Sequence, residues 1–311
     1  MNSGQERERI LVIRLGALGD LVYCFQAFHE IRQAHPKAEI ALLIRPGFAG
    51  FAKAMPWFDR LIIDDHPKGL LGWVRLMGRI RAFRPSRIYD LQGKRRQTLM
   101  FYSLGGPLGP EWSGPAPLAH LPRIPPDVTA MHFTQFIATQ LRMAGVLEAG
   151  PADLGWLDAP IGHLNLPQQF AAVIPGCTPK AGYKRWPPEH YAEIAARLDL
   201  PCVVVGTKDD APYAEIIKAK APATIDLTGK TSLFELAGVL RAASFAVGND
   251  TGPMHMASML GTPTLALFSQ STSPPWSHPL GAHADWRQSP VIADLPVDEV
   301  WSALKALPRK G

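Results

Sequence analysis

Along most of the chain, apolar runs of strand length alternate with longer segments whose apolar positions recur at helical spacing, the pattern of parallel sheets flanked by helices. In the N-terminal half this predicts strands at Ile10–Arg14, Glu39–Ile44, Leu61–Ile63 and Arg87–Tyr89, with helices at Asp20–Ala34, Leu70–Phe83 and Met131–Ala144. These strands are short and nearly all apolar, so both of their faces are expected to be buried. A second series begins at the strand Phe170–Ile174 and continues with strands Cys202–Val205, Thr224–Asp226, Phe245–Val247 and Thr264–Phe268. Helices at Pro188–Leu198, Ala211–Ala219, Leu233–Ala242 and Pro253–Leu260 alternate with them. From Gly105 to Pro126 glycine and proline are too frequent for a helix or central strand, so this stretch reads as an irregular surface excursion, and residues 269–290 read as loop.

Residues 148–167, again rich in Gly and Pro, make the best linker, which divides the chain into domains 1–165 and 166–311. A short closing helix at 297–307 is free to pack back on the first domain. A length of 311 residues fits two cores. Two doubly wound α/β domains in tandem imply a cleft between them, with ligands at the carboxyl ends of the strands. No apolar run approaches the ~20 residues that span a bilayer. The polar N-terminus, followed by Arg14 and Asp20, does not read as a signal peptide, so a cytoplasmic location is expected. Three cysteines without close spacing, Cys24, Cys177 and Cys202, fit reduced thiols better than a disulfide framework or metal site. Cys24 and Cys202 read as core, and Cys177 is left open. A net charge of +5 favours anionic partners, whether nucleic acid, nucleotide phosphates or an acidic membrane surface.

Four segments that could carry chemistry fall directly after predicted strands. In Arg14-Leu15-Gly16-Ala17-Leu18-Gly19-Asp20 two glycines suggest a tight turn into a helix. The third glycine of a dinucleotide fingerprint is missing and Arg45, not an acid, ends the second strand, which argues against an oxidoreductase. Asp20 can be a helix cap or a general base, and Arg14 can hold an anionic acceptor or pair with Asp20. In Asp90-Leu91-Gln92-Gly93-Lys94-Arg95-Arg96 the three cations are either a solvated helix face or a binding site for carboxylates or phosphates. Pro175-Gly176-Cys177-Thr178 leads to Lys184-Arg185-Trp186-Pro187, where backbone N–H groups, the Thr178 hydroxyl and the Lys184 ammonium could hold a diphosphate. The last segment, Gly248-Asn249-Asp250-Thr251-Gly252-Pro253-Met254-His255, is a turn into a helix with a polar knot at its start.

In this order the segments resemble glycosyltransferase family 9, the ADP-heptose:lipopolysaccharide heptosyltransferases. The resemblance covers nearly the whole chain and includes Leu227-Thr228-Gly229-Lys230-Thr231-Ser232-Leu233. It implies the GT-B fold, two facing Rossmann-like domains with a cleft between them, an acceptor-binding N-terminal domain and a nucleotide-sugar-binding C-terminal one. It also implies inversion at the transferred sugar, with Asp20 as catalytic base. Gly176, Thr178 and Lys184 would meet the donor phosphates, and Asp250, Thr251, Gly252 and His255 the diphosphate and sugar. Asp209 or Asp210, of which Asp210 is taken, would hold the donor ribose, and Thr231 would line the adenine pocket. Arg14, Lys94, Arg95 and Arg96 are the candidates for an anionic acceptor. The turn from Gly176 to Lys180 departs from the paired-threonine and Ala-Glu versions of the family, which leaves the register of the phosphate contacts open. No aspartate-x-aspartate motif is present, so no essential metal or cofactor is expected beyond the nucleotide-sugar substrate. The implied reaction moves heptose from ADP-heptose to a lipopolysaccharide inner-core acceptor. The alternatives are another nucleotide sugar, or a non-catalytic nucleotide-sugar-binding protein. A lipid-linked oligosaccharide acceptor would place the chain peripherally at the inner face of the cytoplasmic membrane, and no nucleic-acid partner is expected.

Overall fold

The computed structural model describes residues 7–123, 127 and 130–310, so the polar segment Met1–Glu6 lies outside the described residues. The chain forms two compact units. The first runs to Trp156, and the second starts at Leu157 and also takes the short stretch around Met131 and His132. The division therefore falls earlier than the expected 165/166. Trp156 is the reason, because its ring packs on Phe25, Phe51 and Trp57 with centroids 5.3, 5.3 and 5.7 Å away. Just beyond it, Asp158 pairs with Arg241 and Ile161 lies against Gly238, both in the second unit.

The first unit is built on six parallel strands: β1 (Arg9–Ile13), β2 (Glu39–Ile44), β3 (Arg60–Ile63), β4 (Arg87–Asp90), β5 (Glu111–Gly114) and β6 (Leu121–Pro122). They lie in the order β3-β2-β1-β4-β5-β6. Leu11 and Ile13 point to one face, where they join Leu43, Leu76, Ile80 and Trp112 in a core, and the alternate residues Ile10 and Val12 are buried on the other face. Its helices are α1 (Leu18–Val22), α2 (Phe25–Ala34), α3 (Ala49–Ala52), α4 (Gly69–Phe83), α5 (Arg95–Ser103) and α6 (Phe133–Met143). The single helix predicted over 20–34 is broken between α1 and α2, where the Cys24 N–H turns back to the Leu21 carbonyl at 2.9 Å. The 105–126 excursion is not wholly irregular, since β5 and β6 extend the sheet. Trp112 of β5 is fully buried, and Pro122 sits on the outermost strand, where a missing N–H costs no central ladder bond.

The second unit repeats the plan with β7 (Ala171–Ile174), α7 (Pro188–Arg197), β8 (Cys202–Val204), α8 (Ala211–Lys220), β9 (Ile225–Asp226), α9 (Leu233–Ala242), β10 (Phe245–Asn249), α10 (Gly252–Met259), β11 (Thr264–Ser269), α11 (Pro274–Ser277), β12 (Ala284–Ser289) and α12 (Val297–Ala306). The strand order is β12-β11-β10-β7-β8-β9. Part of the 269–290 stretch read as loop is the edge strand β12, paired with β11 from Ala284 to Ser289. Its Asp285 and Arg287 suit an edge, which needs no two-sided apolar burial. The closing helix α12 buries Val300, Ala303 and Leu304 in the second unit's own core beside Tyr191 and Ile194, which corrects the option of packing back on the first domain. Among the described residues no helix is long and apolar enough to cross a membrane.

Each sheet reverses its strand order at one place, between β1 and β4 in the first unit and between β7 and β10 in the second. Loops leaving the carboxyl ends of such a pair diverge to opposite faces and leave a crevice there. All four sequence motifs follow one of these four strands. The two strands of the second pair approach closely: a Cβ added to Gly248 would stand 2.6 Å from the Ile174 carbonyl oxygen and Cβ. Gly248→Ala is therefore expected to lower stability by roughly 1–3 kcal/mol, read as a lower urea midpoint, because backbone must shift to admit the methyl group.

Candidate active site

In the first unit, Asp20 sits in the first turn of α1 with its side chain 45% exposed. Its Oδ1 accepts from Arg14 Nη2 at 2.7 Å and its Oδ2 from the Ala17 N–H at 3.0 Å. Gly16 makes room for this, since a Cβ there would lie 2.0 Å from Asp20 Oδ2. Arg14 is 3% exposed. It also donates to the carbonyls of Leu91 (2.6 Å) and Asp20 (3.1 Å), and lies 4.8 Å from the centre of the Phe133 ring. Arg14 thus aims Asp20 and ties β1 to β4; it is corrected from an acceptor ligand to a positioning group, because its charge is buried and already paired.

The β4 motif divides in the same way. Arg96 is held by the buried carboxylate of Asp64 through bonds of 2.8 and 3.3 Å and lies over the Trp73 ring, so it too is corrected from acceptor binding to structure. Lys94 and Arg95 stay exposed at the start of α5. Asp90 is fully buried, and its Oδ1 accepts from the N–H groups of Gln92 and Gly93 at 3.1 and 2.8 Å. Burial pushes its carboxyl up to about 6, against the pull of those N–H groups and of Arg123 and Arg14. Gln92 Oε1 accepts from the Leu15 N–H at 2.8 Å, a second tie between the β1 and β4 loops.

In the second unit the central residue is Asn249, fully buried at the end of β10. Its Oδ1 accepts from the Trp186 N–H (3.0 Å) and the Tyr191 hydroxyl (2.9 Å), and its Nδ2 donates to the carbonyls of Pro175 (2.7 Å) and Gly176 (3.4 Å). One side chain therefore joins the β10 loop, the β7 loop and the start of α7. Beside it Asp250, 8% exposed, has Lys184 Nζ 2.7 Å from Oδ2 and His255 Nε2 3.2 Å from Oδ1. Burial alone would raise the Asp250 carboxyl, but the bond and charge of His255 and the ammonium of Lys184 together hold it below its ordinary value. Thr251, in extended conformation, precedes α10 and donates from its hydroxyl to the Asn249 carbonyl at 3.1 Å. Gly252 opens the helix; the N–H groups of Met254 and His255 donate to the Thr251 carbonyl at 3.1 and 3.3 Å, and Pro253 has none, which leaves the N–H groups of Thr251 and Gly252 at the helix start.

Gly176 is buried under Asp210, whose carboxylate oxygens would lie 2.4 and 2.5 Å from an added Cβ. Asp210 is itself buried, and its Oδ2 accepts from the Thr207 N–H and hydroxyl at 2.8 and 2.9 Å. It pins the turn after β8, which corrects its choice as the ribose ligand, while Asp209 is exposed on the same turn. Thr178 is exposed where the chain enters the 3₁₀ turn Pro179–Lys184, and Thr231 is half-buried ahead of α9. Cys177, left open above, donates its thiol to the Ala181 carbonyl at 3.2 Å, and burial raises its pKa. Its role is inside the turn.

Two sheets of Rossmann order, each with its loops gathered at a switch point, define an α/β protein of the GT-B fold class. Residues 150–289 match the family model of glycosyltransferase family 9 (heptosyltransferase). It is 26% identical over 300 residues to lipopolysaccharide heptosyltransferase 2 of Escherichia coli K12, covering 87% of this chain and 86% of that one. Lipooligosaccharide heptosyltransferase 2 of Haemophilus influenzae is 34% identical over 109 residues, a match that spans 32% of this chain and only 31% of that relative's length. In fold, the chain superposes on E. coli ADP-heptose lps heptosyltransferase II with a TM-score of 0.75 at 22% identity, over 96% of this chain and 98% of the other.

Asn249→Ala should strand a buried N–H, a hydroxyl and two carbonyls, and urea unfolding is expected to show a loss of roughly 3 kcal/mol or more, since each unpaired buried group costs about 1–3. Asp250 has a lowered carboxyl, so its stabilisation is complete above the ordinary value of 3.8 and disappears as pH falls through the lower folded value. Acid titration of stability should accordingly be steeper below pH 3.8 in the parent protein than in Asp250→Asn; equal slopes would remove the coupling to Lys184 and His255.

Proposed function

We propose that the chain transfers a heptose from ADP-heptose to a lipopolysaccharide inner-core acceptor with inversion at the sugar. The observation that carries this reading is the assembly around Asn249, where Lys184, Asp250, Thr251 and the start of α10 converge at one switch point. An ammonium and the N–H groups of Thr251 and Gly252 there suit a diphosphate leaving group, whose developing charge they would stabilise. Gly176, Thr178, Thr251, Gly252 and His255 complete the proposed donor surface, with Asp209 the exposed acid for the ribose and Thr231 toward the base. The relatives named above as lipopolysaccharide heptosyltransferases support this choice of donor and acceptor.

In the first unit Asp20 is proposed as general base. Arg14 and the Ala17 N–H fix its carboxylate, and its exposure leaves it able to take the proton of an acceptor hydroxyl as that oxygen attacks the anomeric carbon. Lys94 and Arg95 remain as cations for an anionic acceptor. No resident metal or cofactor is part of the proposal, since Lys184 and the helix-start N–H groups supply the positive charge. A lipid-linked acceptor places the chain in the cytoplasm, peripheral to the inner membrane face.

Asp20→Asn is expected to lower turnover by roughly 10²–10⁴-fold while donor affinity stays near that of the parent, measured by calorimetry with ADP-heptose. Unchanged turnover would take the base role from Asp20. A chelator should leave transfer unaffected, and a rate that collapses with chelation and returns with one divalent ion would overturn the metal-free reading. A screen of nucleotide sugars by thermal stabilisation identifies the donor, because a ligand at about 100 times its Kd adds about 2.7 kcal/mol.

A further inference from the structure

Helix α4 carries two apolar arcs, of which the fold uses one. Leu76, Met77, Ile80 and Phe83 turn into the core with Trp73 packed beside them. On the adjoining arc Leu70 is 77% exposed, Leu71 75% and Val74 54%. At about 100° per residue, Leu70, Val74, Gly78 and Leu71 fall within one strip roughly 100° wide. Scattered exposed leucines need no explanation, but three grouped on one strip do.

The strip is bordered by cations. Residues 66–89 contain Lys68, Arg75, Arg79, Arg81, Arg84 and Arg87 and no Asp or Glu. Arg79 pairs with Asp65, and Arg81 donates to the Ser103 carbonyl, while Lys68 and Arg75 extend exposed beside the leucines. Because α4 follows β3, its first turns stand at the carboxyl edge of the sheet, the edge that also carries Asp20, Lys94 and Arg95. Trp73 links α4 to α5 there: its indole N–H donates to Ser103 Oγ at 3.2 Å and Arg96 lies over its ring.

We propose that the N-terminal half of α4 is a membrane-docking surface, with Leu70, Leu71 and Val74 entering the acyl layer of an anionic bilayer and Lys68 and Arg75 at the level of its phosphates. The proposal rests on the reading above that the acceptor is lipid-linked, and it names the surface that brings the acceptor edge of the first sheet to the lipid. An apolar strip rimmed by cations matches the layering of such a bilayer, apolar inside and anionic at the boundary. A two-fold contact with a second copy fits less well, since the same patch on both partners would set Lys68 and Arg75 near their own counterparts.

The test is co-sedimentation with vesicles of phosphatidylethanolamine and phosphatidylglycerol, against vesicles of phosphatidylcholine alone. The parent protein should bind the anionic vesicles and bind the zwitterionic ones weakly. The triple variant Leu70→Ser, Leu71→Ser, Val74→Ser should lose at least about ten-fold in partition. The double variant Lys68→Gln, Arg75→Gln should lose roughly five-fold per charge and show a shallower salt dependence. Both variants should keep the parent rate of transfer to a delipidated, water-soluble core fragment and lose it toward acceptor embedded in vesicles. Failure of the parent to bind anionic vesicles, or undiminished binding by the triple variant, overturns the proposal. So does a parent dimer in sedimentation that the triple variant abolishes. Absence of any transfer to the soluble fragment would instead count against the function proposed above, and vesicle binding would still decide the docking surface.

Discussion

The second unit's site depends on a single primary amide. Asn249 can serve three segments at once only because it carries two donors and an acceptor on one short, buried side chain. An aspartate could not donate to the Pro175 carbonyl, and a glutamine would add a methylene at a fully buried strand end. The Trp186 N–H that it fixes lies two residues after Lys184, and Asp250 is its own neighbour. The ion pair between Lys184 and Asp250 is thus held from both ends by Asn249. This in turn makes the buried Asp250 tolerable, because a carboxylate removed from water needs both charge compensation and hydrogen bonds, and Lys184 and His255 stand at its two oxygens.

The first unit meets the same topological problem with an ion pair in place of an amide. Arg14 leaves β1 buried, reaches the Leu91 carbonyl after β4 and fixes Asp20 in α1. The two solutions leave their carboxylates in opposite conditions. Asp250 is enclosed by Lys184 and His255 and suited to holding a lysine in place, whereas Asp20 is bound on one side and open on the other. A proton acceptor must be open in that way to meet a substrate hydroxyl. The two ion pairs therefore differ in which partner is buried, the arginine in the first unit and the carboxylate in the second.

The central strands were legible in the sequence because burial on both faces leaves unbroken apolar runs, as at Ile10–Ile13 and Phe245–Val247. The edge strands β5, β6 and β12 were not, since an edge tolerates Pro122, Asp285 and Arg287, which punctuate a pattern as loops do. The loops at the switch points were legible too, because glycines and prolines stand directly after the strands that lead into them. What sequence could not do was sort the polar residues in those loops. Arg14, Arg96 and Asp210 looked available, but their partners Leu91, Asp64 and Thr207 are supplied by the fold, two of them from other elements. Asn249 looked like a turn former, and only its burial shows it to be a crosslink.

Charge shows the same limit and leads to a more specific picture. A net +5 invites the expectation of a generally basic surface. Yet Arg96 and Arg142 are committed to the buried carboxylates of Asp64 and Glu30, and Arg14 to Asp20. In the first unit, Lys68, Lys94 and Arg95 stand exposed at the starts of α4 and α5, at the carboxyl edge of the sheet, with Arg75 exposed two turns into α4. Helical periodicity alone could not reveal what stands among them, because it counts apolar positions without saying which arc the core will take. Once Leu76, Met77, Ile80 and Phe83 fill the core, Leu70, Leu71 and Val74 are surplus to folding. Surplus apolar surface on a helix flanked by cations is stable in water only at a cost in hydration, and an anionic bilayer relieves that cost at the edge that carries Asp20.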